Sequence, residues 1–97
     1  MQTNFLVLSA CIAEADAMRY TPSGLPALNV RLEHTSQQMQ VGSNRNVTVV
    51  LKAVAFGAVA ESLARQAIGS VWRFQGFMAN ALKGKSVVFH IQEFVQD

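Results

Sequence analysis

The side chains that could do chemistry in this 97-residue chain are few: eight Lys and Arg, six Asp and Glu, two His, one Cys and one Tyr. The carboxylates, Glu14, Asp16, Glu33, Glu61, Glu93 and Asp97, are scattered, and no two form a pair for acid–base work. No Ser-His-acid grouping and no Gly-rich phosphate loop is present. A zinc site built from His34, His90 and Cys11 would follow no known ligand spacing, so the histidines read instead as strand residues hydrogen-bonded locally. Cys11, inside Leu6-Val7-Leu8-Ser9-Ala10-Cys11-Ile12, reads as a small buried hydrophobe with no disulfide partner rather than a reactive thiol. Catalysis, a metal and a cofactor are therefore not expected. The cations offer a different chemistry. Arg19, Arg31, Arg45, Lys52, Lys83 and Lys85 could neutralise phosphates, each contact releasing counterions and making affinity fall as salt rises. Tyr20, beside Arg19, is the aromatic ring best placed to touch a base.

Composition sets bounds on that chemistry. The length suits one domain, residues 1–97, with a single core. Just over half the residues (51%) are apolar and 14% are charged, too lean a coat for a small monomer and a reason to expect a homo-oligomer. The net charge of +2 permits a polyanionic partner without requiring one. No segment has the roughly 18 consecutive apolar residues of a membrane span, and the N-terminus lacks a signal-peptide pattern. A cytoplasmic protein with no membrane partner is the expectation.

Five extended segments and one helix must position these groups. The first, about Asn4 to Ala13, is apolar on both parities, so both of its faces should be covered. In the second, Leu28, Val30 and Leu32 alternate with Asn29, Arg31 and Glu33. The third, Asn46 to Phe56, places Val47, Val49, Leu51, Ala53 and Ala55 on one parity. The fourth, Val71 to Ala79, contains Gly76, the mark of a bulge or sharp bend. The fifth spans Ser86 to Phe94. Between the third and fourth, Val59, Ala60, Leu63, Ala67 and Ile68 recur at helical spacing, with Gly57 opening the stretch and Gly69 expected as its C-cap. Glu14 to Ala27 reads as a loop, Thr35 to Asn44 as a polar hairpin tip, and Asn80 to Lys85 as a turn.

This order predicts an all-β, five-stranded Greek-key OB-fold barrel with a short helix between strands three and four. In that fold the second and third strands, with the loops between strands 1–2 and 4–5, bind oligonucleotides or sugars. Six of the eight cations fall on that face and its rims, although loop cations would equally suit a plain solvated surface. The phenylalanines look less suited to stacking. Phe5, Phe74, Phe77, Phe89 and Phe94 lie in strongly apolar contexts and are expected in the core, Phe56 beneath the helix, and Trp72 buried.

The chain resembles the primosomal replication protein N (PriB) family of bacterial single-stranded-DNA-binding proteins. The resemblance rests on Asn4-Phe5-Leu6-Val7-Leu8-Ser9, Thr21-Pro22-Ser23-Gly24-Leu25-Pro26, Leu32-Glu33-His34, Gly57, Gly69, Gln75-Gly76-Phe77 and His90-Ile91, in order and almost end to end. It implies a homodimer that binds single-stranded DNA during replication restart, stabilises the PriA helicase on DNA and helps hand over to helicase-loading proteins. It implies neither catalysis nor a cofactor. By position, it also implies DNA contacts at Arg19, Arg45, Lys83 and Lys85. The chain departs from the family pattern at Thr35, where an arginine is usual, and at Ser43 and Thr48, where stacking rings are usual. Its last binding loop is also shorter. Weaker, more salt-sensitive DNA binding follows, and so does an alternative: a protein-interaction adaptor of the primosome on the same fold.

Overall fold

Along β3 (Pro26–Gln40) the alternation that builds this molecule is plain: Leu28, Val30 and Leu32 are buried while Asn29 and Glu33 face water. The computed structural model describes all residues from Met1 to Asp97. The remaining elements are β1 (Leu6–Ala15), β2 (Arg19–Tyr20), β4 (Ser43–Phe56), α1 (Gly57–Ala64), β5 (Val71–Asn80) and β6 (Val87–Val95). The five long strands form one sheet in the order β1-β5-β6-β4-β3, and β3 pairs back onto β1 to close the barrel. All pairings are antiparallel except β4 with β6, where Ala53 faces Phe89 and Val54 faces His90 in parallel. This is the OB-fold. No helix is long and apolar enough to cross a membrane.

The inward parities meet in one core of Ala10, Ile12, Leu28, Val30, Leu32, Phe74, Phe89 and Ile91, among others. Ala60 and Leu63 of α1 seal one end of it. Gly76 sits at the irregularity in the β5–β6 ladder, as its place within a strand predicts. A Cβ there would stand 1.9 Å from the carbonyl oxygen of His90, so only glycine lets the two strands approach.

Four local expectations need correction. Residues Thr35–Asn44 are not a loose hairpin tip. β3 and β4 stay paired in register out to Gln40 and Ser43, forming a ribbon turned by Val41 and Gly42 alone. Both turn residues have positive φ, 49° and 74°, as a type I′ turn requires to match strand twist. The polar residues concealed this strand because the ribbon projects beyond the core and has nothing apolar to bury. The helix, too, ends earlier than its pattern, at Ala64 with Arg65 as C-cap; Gly69 instead turns the chain and donates its N–H to the Ile12 carbonyl, 2.7 Å away. The first strand is not covered on both faces, since Phe5 and Val7 are exposed and Cys11 is only half-buried. Finally, Phe77 is half-buried on the outside of the barrel rather than in the core, and Phe56 is 38% exposed rather than lying beneath the helix.

His34 fills the angle where β3 leaves β1. The β1–β3 ladder ends at Cys11 and Glu33. Just beyond it, the His34 ring reaches the Ser9 carbonyl oxygen at 2.6 Å with Nδ1 and the Ser36 hydroxyl at 2.7 Å with Nε2. A carbonyl only accepts, so Nδ1 carries the hydrogen and Nε2 accepts from Ser36. The local hydrogen bonding expected of this residue is what the structure has.

Candidate nucleic-acid interface

The Thr21-Pro22-Ser23-Gly24 segment is a tight turn. The Gly24 N–H donates to the Thr21 carbonyl (2.8 Å), and the Thr21 hydroxyl accepts from the Leu25 N–H (3.1 Å). This turn folds Arg19 and Tyr20 back onto Ala27 and Pro26 as the two-residue strand β2, where a loop was expected. The Arg19 guanidinium then donates to the Asn29 side-chain oxygen at 3.0 Å, which fixes its direction across the outer face of β3.

That outer face borders two adjoining cavities. The larger, about 480 Å³, is lined by Glu14, Asp16, Asn29, Arg31, Lys52 and Ser86, with four apolar or small neighbours. Arg31 and Lys52 are cross-strand partners on β3 and β4, so their charges stand side by side. Carboxylates offset them here, Glu14 and Asp16 from the cavity wall and Glu33 from beside it. Glu14 meets Arg31 at 3.1 Å, Glu33 approaches it at 3.9 Å, and Asp16 lines the same wall. The second cavity, about 290 Å³, shares Asn29, Ala81 and Val88 with the first and adds Arg19, Phe56, Leu82 and His90. Arg19 is its only charged lining residue.

The remaining cations sit apart. Lys83 and Lys85 are exposed in the β5–β6 turn, which the Ala81 N–H closes onto the Ser86 carbonyl at 2.8 Å. Ala81, Leu82 and Ser86 of that turn line the cavities, so the two lysines stand on the rim. Arg45 does not join them. It lies seven residues before Lys52, roughly 23 Å along the strand, and on the opposite parity of β4. Its guanidinium donates to the Gln40 side-chain oxygen at 2.6 Å. Tyr20 is 66% exposed and lines neither cavity. No three His, Cys, Asp or Glu side chains gather as a metal-binding group.

A family model described as "another single-strand binding protein family" matches residues 4–93. Replication restart protein PriB of Bordetella pertussis is 43% identical over 91 residues, covering 93% of this chain and 85% of that protein. The chain belongs to the PriB family. The crystal structure of PriB from Ralstonia solanacearum superposes with a TM-score of 0.89 at 37% identity, covering 98% of each chain. A small single-stranded-DNA-binding protein from Streptomyces coelicolor shares the fold alone, at TM-score 0.77 and 18% identity, over 100% of this chain and 95% of that one.

Three residues on this face were not read as site residues from the sequence. Phe56, His90 and Phe77 form a row of rings across β4, β6 and β5, with centroids 6.1 Å and then 4.8 Å apart. Phe77 stacks on His90 at an interplanar angle of 15°. Parity within each strand would have put Phe56 on the Lys52 face and Phe77 on the face opposite Phe74. The register that aligns the three strands is not written in any one of them.

Proposed function

We propose that this chain is a non-enzymatic single-stranded-DNA-binding accessory protein of replication restart, a single OB-fold domain over residues 1–97 that works as a homodimer. The observation that carries the reading is the pair of adjoining cavities on the outer β3–β4 face, with Arg19, Arg31 and Lys52 on their walls and the Lys83–Lys85 turn on their rim. Such a groove can track a phosphate backbone while base faces pack on its apolar end. Arg45, out on the ribbon, would reach a strand that continues past the barrel, and Tyr20 a nucleotide leaving at the β2 end. Homologues named replication restart protein PriB support the cellular role. In that role the protein would stabilise the PriA helicase on DNA and favour loading of the replicative helicase.

Pairing of two copies is supported by β1. Its ladder to β3 begins only at Cys11, so on that side Leu6–Ala10 have no strand partner, and Phe5 and Val7 there are exposed. An open apolar edge of this kind is suited to a second strand.

Fluorescence-anisotropy titration of labelled oligo-dT at two salt concentrations tests the central claim. Affinity that falls steeply with salt, and falls further in Lys52→Ala and Lys85→Ala, is the expected result. No binding at low salt would refute it and leave the adaptor reading. One observation favours that second reading: Glu14, Asp16 and Glu33 offset the cations of the larger cavity.

A further inference from the structure

The two cavities differ in a way that assigns them different parts of a ligand. In the larger, two carboxylates face two cations, so its walls carry no net formal charge. The smaller is mostly apolar, and Arg19, held by Asn29, is the one charge at its wall. Its floor carries the Phe56 and His90 rings, and Phe77 backs His90 from the far side.

We infer that the smaller cavity is a nucleobase slot. One unpaired base packs its face on the Phe56–His90 rings, and Arg19 takes the phosphate of the same or the adjacent nucleotide. This rests on the single-stranded-DNA reading above and adds a stacking site where none had been assigned.

Three features select a base as the occupant. Phe56 is the helix-entry residue, with extended backbone (φ −126°, ψ 153°), and it is 38% exposed although apolar. His90 stacks on Phe77 behind it, so its ring is braced and does not need to be ordered on binding. The cavity, about 290 Å³, opens beside an arginine directed by a neutral amide rather than neutralised by a carboxylate. An aromatic face beside an available cation is what a base and its phosphate require, and it is indifferent to base identity because every base has a π-face. Leu82, fully exposed on the β5–β6 turn, stands at the mouth and can cover the outer edge of the base.

The test compares labelled oligo-dT with an abasic oligomer of the same length, which keeps the phosphates and lacks the bases. The protein should bind oligo-dT more tightly. Phe56→Ala should weaken oligo-dT binding by roughly five- to 150-fold, the range for loss of one stacked base, and leave abasic binding within about twofold. Phe56→Leu, which keeps bulk at the helix entry, guards against a folding defect and should weaken oligo-dT binding in the same direction. Arg19→Ala should weaken both ligands. With only two histidines in the chain, the His90 ring resonances can be followed by NMR, and should move with oligo-dT and not with the abasic strand. Equal affinity for the two ligands, or unchanged oligo-dT binding in Phe56→Leu, would overturn the slot while leaving phosphate-led binding intact. Failure to bind either ligand would overturn the underlying reading as well.

Discussion

Replacing Gly76 by alanine adds one methyl group where β5 meets the backbone of β6, the tightest of the chain's six glycine positions. The new Cβ would lie 1.9 Å from the His90 carbonyl oxygen, 2.9 Å from its carbon and 3.1 Å from the Gln92 nitrogen, all main-chain atoms that cannot rotate away. Carbon and oxygen approach to about 3.3 Å at best, so β6 must retreat by roughly 1.4 Å at this point. Ladder hydrogen bonds tolerate only about half an ångström of stretch, so the flanking bonds are lost at ~1 kcal/mol each. Overpacking strain adds ~1–3 kcal/mol, against a gain of ~0.4–1 kcal/mol from stiffening the unfolded chain. The net is destabilisation of about 3 kcal/mol, which for a domain of this size lowers the melting midpoint by roughly 12–24 °C. Thermal and urea denaturation followed by circular dichroism, at matched protein concentration because pairing of copies adds stability, measures it. A midpoint within 5 °C of the unaltered protein, as a rough bound, would mean the strands are not so closely apposed. The consequence reaches function, since His90 would be displaced from between Phe56 and Phe77.

Other expectations follow from single contacts. Val41 holds φ at 49°, where a β-branched residue is strained and asparagine is not, so Val41→Asn should stabilise the ribbon by about 1 kcal/mol in urea denaturation. Glu14→Gln should release Arg31 and strengthen oligo-dT binding by about two- to fivefold at low salt, an effect that vanishes at high salt; weaker binding would count against Arg31 as a phosphate contact. His34→Ala should lower stability by ~1–2 kcal/mol through loss of the Ser9 and Ser36 hydrogen bonds, and His34→Asn, which can restore the donor to Ser9, should recover part of it.

What the sequence by itself determined is the set of features that depend on neighbours along the chain. Alternation in Leu28–Glu33, the helical spacing of Val59, Ala60 and Leu63, and Gly76 inside β5 specified the barrel's elements and its bulge, because side-chain direction in a strand or helix is fixed by local backbone geometry. The turn in Thr21–Pro26 was likewise legible, though not the pairing of Arg19 with Ala27 that it produces. The ribbon at Thr35–Asn44 was not legible, since its strands are held by pairing to each other and carry no buried stripe. Nor were the offsetting of Arg31 by Glu14, the separation of Arg45 from Lys52, or the ring row of Phe56, Phe77 and His90. Each of these depends on which residue of one strand lies beside which residue of another. Only closure of the barrel sets that register, and it decided that Phe56, read as lying beneath the helix, would stand on the outer wall beside an arginine.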